Sequence, residues 1–354
     1  MFTISFVNFL QVGLLTLSIF GILVLASFRQ YRQICLLLAL VSVASIFNLL
    51  EELDITRNLY LVTPIFVIGF GPAIYLAIKG ILGDKLGWLQ LWHFLPMLAA
   101  LPFTRYPEAV IAIGTLWRII YAALSLRRLF KFQKEVMQQR SDAFELSMNW
   151  LAWSLAIMTF VSMLNLVRLN VQPLISYSHN LIGQGISTGV SLLFFMLLIR
   201  QLIYQKDALA SLFTTRSSEA KGESFTGEKP AHGLDTSSHD NDHYGQIFGF
   251  LSKEIQANDW YQIPRLTLNQ LSELSGLQPR EISRAINVTA KQNFNDYINH
   301  LRLEDVIRQM DNKPEQSFLN LAMAAGFNSK SSFNQVFKRH HGMTPMEFRQ
   351  SRQG

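Results

Sequence analysis

Residues 326–345 read GFNSKSSFNQVFKRHHGMTP. Gly326 can turn the chain, and Asn328 or Ser329 can cap a helix that starts just after it. Phe333, Val336 and Phe337 then recur at helical spacing, while Lys330, Ser331, Asn334, Gln335 and Lys338 fall on the other side. Upstream, Leu319, Ala322 and Met323 form the expected inward stripe of another helix. A helix, a tight glycine turn and a second helix with a polar, basic face make the plan of a helix-turn-helix.

The plan occurs twice. In LTLNQLSELSGLQPREISRAIN, Thr267 can cap a helix whose buried face is Leu268, Leu271 and Leu274. Gly276 can end that helix, and Pro279 suits the first turn of the next. That next helix has Ile282, Ala285 and Ile286 on one face and Arg280, Ser283, Arg284 and Asn287 on the other. The two turn glycines, Gly276 and Gly326, hold equivalent places. Between the units, FNDYINHLRLEDVIRQM reads as one amphipathic helix with Phe294, Tyr297, Ile298 and Leu301 on a stripe. Before them, Ile247, Phe248, Phe250, Leu251 and Ile255 mark a further helix, so the globular region runs over 244–354.

Residues 267–349 resemble the DNA-binding domain of the AraC/XylS family of bacterial transcription regulators. GFNSKSSFN, FK and GMTPMEFR carry the second half of the likeness; SGL, ISRAIN, NFNDYIN and LRLED carry the first. The resemblance implies seven helices, with two recognition helices entering successive major-groove segments ~34 Å apart on double-stranded promoter DNA. By match to the family, Arg280, Ser283 and Arg284 face bases in the first unit. Lys330, Ser331, Ser332, Asn334 and Gln335 lie at or near base-reading positions in the second. The chemistry agrees, since Arg can grip guanine and Asn or Gln adenine with paired hydrogen bonds, while Ser takes either sense. Lys338, Arg339, His340 and His341 are expected at phosphates. Regulators of this kind often pair, which implies a homodimer. In one place the chain departs from the family: Lys291 stands where a glycine usually follows the first recognition helix. A turn with positive φ there would strain Lys291 by roughly 1 kcal/mol.

The first two hundred residues have a different character. The chain is 49% hydrophobic and 16% charged, and the charge collects after about residue 205. Seven apolar runs approach the ~20 residues that span a bilayer: 6–28, 34–50, 59–82, 88–103, 109–130, 148–169 and 181–203. The fourth is short and interrupted by Pro96 and Pro102. No Lys or Arg precedes the first run, so it is expected to be retained and not cleaved as a signal peptide. Alternate loops are basic. Arg29, Arg32, Lys79, Lys85, Arg127, Arg128, Lys131, Lys134, Arg140, Arg200 and Lys206 fall on one side, and only Arg57, Arg105 and Arg168 on the other. By the positive-inside rule the N-terminus is outside and the C-terminus cytoplasmic. The family branch with this wording often carries such a multi-helix membrane region.

Polar residues in or beside the runs have two readings each. Glu51, Glu52 and Asp54 could meet an external cation or ligand, or form a solvated loop. His93 and Arg118 could pair with carboxylates or serve packing. Residues 206–243, rich in Ser, Thr, Gly and charge, read as a flexible linker. Its His232, His239 and His243 could bind metal, but a solvated tract fits better because no packed shell would fix the ligands. Cys35 reads as a buried apolar residue.

The expectation is therefore an all-α chain: a seven-helix transmembrane bundle over 1–205, a linker, and two helix-turn-helix units over 244–354. It is a multi-pass protein of the bacterial inner membrane that regulates transcription, with its DNA-binding domain in the cytoplasm. No catalytic constellation, metal site or cofactor is read from the sequence. The partners are promoter DNA, the lipid bilayer, a second copy and an unidentified signal ligand or protein. The alternative is a receptor or transporter whose C-terminal domain binds protein or is vestigial. A long flexible linker would favour control of pairing or local concentration over a lever.

Overall fold

The structure, a computed structural model, describes residues 5–56, 61–84, 87–206, 238–312 and 315–353. Among them the chain is helical, and it divides into two compact units. One holds residues up to Phe130 and those from Met148 to the end of the apolar region. The other holds Lys131–Ser147 together with the C-terminal domain.

The apolar unit contains α1 (Phe6–Leu25), α2 (Arg32–Glu52), α3 (Pro64–Ile81), α4 (Leu95–Ala99), most of α5 (Pro107–Gln139), α6 (Asn149–Val171) and α7 (Tyr177–Tyr204). Six helices among the described residues are long and apolar enough to cross a membrane, where seven runs were expected. The fourth run instead forms a 3-10 stretch at Trp88–Phe94, the five-residue α4, and a 3-10 turn at Leu101–Phe103. Pro96 and Pro102 interrupt it, since neither can donate to a continuing helical ladder.

Side-chain pairs give the helix directions. Asn8 bonds Glu52 and Ser18 bonds Ser42, so α1 and α2 are antiparallel. Gly114 meets Val67 and Ile68, Gly71 meets Arg118, and Asp84 bonds Arg128, so α3 and α5 run parallel. The interrupted segment returns between them: His93 bonds Tyr121 and abuts Tyr75, while Met97 lies against Gly69. Gly185 against Phe6 and Ile199 against Gly21 make α7 parallel to α1. The C-terminal ends of α3, α5 and α7 carry Lys79, Arg127, Arg128 and Arg200, and Arg32 opens α2 at the same end of the bundle. Arg57 and Lys85 lie outside the described residues.

The opposite end is tied by buried polar contacts. Glu51 is buried, not solvated: its carboxylate accepts from the backbone N–H of Val62 (2.6 Å) and Thr63 (2.9 Å) and from the Thr63 hydroxyl. It thus neutralises the start of α3, where helical N–H groups lack partners. Glu52 accepts from Asn8 on α1 (2.8 Å) and Gln184 on α7 (2.6 Å). His93 and Arg118 pair with neutral groups, Tyr121 and Ser162, instead of carboxylates.

The C-terminal domain has seven helices among the described residues, the number the resemblance implies. They are α8 (Ser238–Ala257), α9 (Leu268–Ser275), α10 (Pro279–Ala285), α11 (Phe294–Asn312), α12 (Phe318–Ala324), α13 (Lys330–His341) and α14 (Pro345–Gln353). Helix α8 begins upstream of Tyr244, within the expected linker; residues 207–237 lie outside the described residues. Thr267 and Gln270 form a capping box on α9, and the Ser317 and Ser329 hydroxyls cap α12 and α13. Helix α11 serves two cores. Phe294, Tyr297, Ile298 and Leu301 pack with Leu251, Ile255, Leu271, Ile282 and Ile286. Leu303, Val306 and Met310 pack with Leu321, Ala322, Phe327, Phe333, Val336 and Phe337. Three expected inward residues are exposed, namely Leu274 (45%), Leu319 (38%) and Met323 (39%). Helices of seven or eight residues bury only about two positions, and Leu321 and Ala322 take those of α12.

The turn glycines are not equivalent. Gly276 (φ 71°) has open space where a Cβ would stand, but at Gly326 (φ 97°) a Cβ would sit 2.6 Å from the Gln262 carbonyl oxygen. Gly276→Ala should cost about 1 kcal/mol, from left-handed strain alone. Gly326→Ala should cost about 3 kcal/mol, because backbone must also move. Hydrogen exchange in the full-length protein measures the difference, over the α9 and α10 amides for Gly276→Ala and the α12 and α13 amides for Gly326→Ala. Lys291 does sit at φ 53°. Lys291→Gly should slow exchange in α10, with a gain of about 0.5–1 kcal/mol as left-handed strain is relieved against a smaller entropic loss.

Candidate nucleic-acid interface

Two exposed helix faces carry the expected DNA-facing residues. On α10, Arg280 and Arg284 are exposed and Ser283 is half-buried, accepting a hydrogen bond from Asn287 (3.4 Å). The Arg284 guanidinium lies 5.0 Å from the centroid of the Tyr244 ring, a cation–π contact that steadies it. Gln278 and Glu281 cap the start of α10, and Pro279 occupies its first turn. Beyond Ala285 the helix widens into a π turn, Ile286–Ala290, that ends at Lys291.

On α13, Lys330, Ser331, Asn334, Gln335, Lys338 and Arg339 are exposed. Ser332 is not: it is 6% exposed, and its backbone N–H donates to the Ser329 hydroxyl at 3.1 Å. Position 332 falls on the stripe of Phe333, Val336 and Phe337, so it belongs to the packed side. Lys338 and Arg339 lie in the last turn, where the helix dipole favours cations. Arg339 also holds Asp296 of α11 at 3.3 Å.

His340 and His341 take a structural place. His340 stacks on His300 with centroids 5.6 Å apart, and His341 packs between Phe337 (4.7 Å) and Phe348 (5.0 Å). Burial, with His300 adding repulsion, pushes both imidazoles below their ordinary value of 6.5. At pH 7 each ring can therefore offer a phosphate an N–H donor but not a full positive charge.

A second feature of this unit lies outside the helix-turn-helix motifs. Residues 140–147 lie against α9, α11 and α13. Arg140 pairs in an antiparallel bridge with Thr267, and the Ser141 N–H donates to the Leu266 carbonyl at 3.0 Å. Asn295 donates to the carbonyls of Arg140 (3.1 Å) and Ser141 (2.8 Å), and Asn299 to that of Ser141 (2.9 Å). Arg302, 1% exposed, donates to the carbonyls of Tyr261 (2.7 Å) and Ile263 (2.8 Å) and to the Ser141 hydroxyl (3.1 Å). Burial lowers its pKa to about 10, with Asp142 and Glu145 opposing, so it stays charged at pH 7. Arg140 and Asp142 form a buried two-point ion pair. Phe144 packs on the second core beneath Arg339, and burial raises the pKa of Glu145. The sequence reading missed this feature. Its signal was present: Asn295, Asn299 and Arg302 form a polar stripe at i, i+4 and i+7 that periodicity alone assigns to water.

Residues 271–351 match the family model described as a helix-turn-helix domain. Over 105 residues the chain is 25% identical to the probable transcription factor PqrA of Proteus vulgaris, covering 30% of this chain and 81% of that protein. It is 28% identical over 122 residues to the melibiose operon regulatory protein of Escherichia coli (33% of this chain, 36% of that one). It is 28% identical over 93 residues to the uncharacterized transcriptional regulatory protein YesN of Bacillus subtilis (26% and 25%). The chain thus spans most of the first relative but only about a third and a quarter of the others. No solved structure is found to match it.

The histidine pair yields a pH dependence. Because the folded pKa of His341 is depressed, its contribution to stability is complete above the ordinary value near 6.5 and is lost as pH falls through the lower folded value. His341→Phe should flatten the loss of α13 stability that sets in as pH falls below the ordinary histidine value of 6.5. Hydrogen exchange along a pH series measures it.

Proposed function

From the AraC-type helix-turn-helix domain at residues 271–351, we propose that this chain is a membrane-embedded, sequence-specific transcription regulator. The observation that carries the DNA-reading half is the pair of capped helices, α10 and α13, presenting Arg280, Arg284, Lys330, Ser331, Asn334 and Gln335 from two cores that share α11. Arginine, asparagine and glutamine on such helices suit major-groove base edges. Ser283 adds a smaller polar contact, and Lys338 and Arg339 meet the phosphate backbone. A second copy of the chain binding alongside is part of this reading.

The membrane half rests on six long apolar helices whose outer surfaces are themselves apolar. Phe9 (70%), Leu23 (72%), Leu36 (68%) and Trp153 (72%) are all exposed, as befits a lipid-facing surface. The antiparallel course of 88–103 supports reading it as a seventh, broken crossing. Its exposed side chains, among them Trp88, Leu89, Leu91 and Trp92, are apolar, which suits a surface that faces lipid. Seven crossings with the basic ends in the cytoplasm leave the N-terminus outside and the DNA-binding domain beside the chromosome of a bacterial cell. In this reading the bundle senses an external or intramembrane signal.

The test uses full-length protein in lipid nanodiscs and a genome-wide DNA pull-down. Wild type should enrich fragments with two contact blocks about one helical turn apart. Arg284→Ala and Gln335→Ala should each cost about 1–3 kcal/mol and relax preference within one block. Lys338→Ala should weaken all sequences alike and reduce the slope of log affinity against log salt by about 0.9. Enrichment unaffected by the Arg284 and Gln335 changes would reject a base-reading role for these residues.

A further inference from the structure

We infer that the DNA-binding domain contains a built docking groove for a segment of its own chain, residues 140–147. Loading of that groove sets how the two helix-turn-helix units are held together. The groove wall is the polar stripe of α11, and all three of its side chains are buried: Asn295 (0%), Asn299 (1%) and Arg302 (1%). The segment supplies their partners. Both asparagine amides donate to the 140–141 main chain, and one Arg302 nitrogen donates to the Ser141 hydroxyl.

Removing the segment would strip hydrogen-bond acceptors from these buried amides and expose the end of the Arg302 guanidinium. Buried polar groups without partners are unfavourable, so α11 and its surroundings would have to rearrange. Helix α11 is shared by the two cores and has no substitute as the spacer between α10 and α13. The segment also touches the second recognition helix directly, through Phe144, which lies beneath Arg339 and packs on the core that holds Phe333, Val336 and Phe337. The contacts leave the exposed face of Lys330, Ser331, Asn334 and Gln335 uncovered. Docking therefore favours a reading-competent arrangement and does not mask it.

In the sequence this segment joins α5 to α6, two of the long apolar helices. A signal that alters α5 or α6 thus reaches this segment along the chain itself, through the residues that join the two helices. This inference rests on the proposed DNA-binding reading for its functional consequence, but the docking itself is measurable without DNA.

The experiment is hydrogen exchange on full-length protein in nanodiscs, followed by footprinting on duplexes that the wild-type protein selects from a random-sequence pool. In wild type the Ser141 amide should be protected comparably to the amides of α11. Exchange at the rate of an unstructured peptide would overturn the inference. Ser141→Pro removes the donor to Leu266, and Asn299→Leu removes a donor from the opposite wall. Each should speed exchange over 140–147 and Leu303–Met310 and weaken binding to two-block duplexes about tenfold, while binding to a duplex with a single block changes little. Undocking by exchange with unchanged two-block affinity would overturn the coupling. Should Ser141→Pro fail to insert or fold, the Asn299→Leu result decides alone. Failure of wild type to select any duplex would reject the DNA-reading proposal, and the Ser141 protection would still score the docking.

Discussion

The C-terminal domain depends on one helix doing two jobs. Helix α11 contributes Phe294, Tyr297, Ile298 and Leu301 to the first core and Leu303, Val306 and Met310 to the second. Neither helix-turn-helix could bury enough apolar surface alone, since each has two helices of only seven to twelve residues. The spacing of the recognition helices is accordingly a property of α11 and of whatever fixes its sides. On its polar side the fixing group is Arg302, a charged guanidinium held by main-chain carbonyls and by the segment from between the apolar helices. A buried charge is tolerable only when its donors are used, so this contact imposes a specific geometry in a way apolar packing does not.

Conformation at the turns follows a similar division between local preference and tertiary demand. Gly276 and Gly326 are alike in sequence context and in sign of φ, but only Gly326 has a backbone carbonyl in the space of its missing side chain. Lys291 adopts a left-handed conformation that the family usually assigns to glycine, and the π turn before it absorbs the change of direction. In the apolar unit, carboxylates act as ties between helices. Glu51 holds the first turn of α3, and Glu52 joins α1 to α7. Both are better explained by unsatisfied amides and helix ends than by an external ligand.

The sequence by itself determined the helix class, the two helix-turn-helix units, the Thr267 cap and the apolar character of the first two hundred residues, and it narrowed the cap of α13 to Asn328 or Ser329. These are local properties: periodicity, a hydroxyl before a helix, a glycine after one. It also placed Arg280, Arg284, Lys330, Ser331, Asn334, Gln335, Lys338 and Arg339 on exposed faces, because helical phase is readable from a few buried neighbours. Phase fails at the margins of a stripe, and there Ser332, Leu274, Leu319 and Met323 went to the other side. Only the tertiary structure decided that His340 and His341 pack against aromatic rings, and that the fourth apolar run, which its prolines already marked as interrupted, returns alongside α3. It alone also brought residues 140–147 to Asn295, Asn299 and Arg302. Those partners lie more than a hundred and fifty positions apart. Hydrogen-bond complementarity at that separation leaves no periodic mark, so a buried polar stripe and a solvated one look the same until the chain is folded.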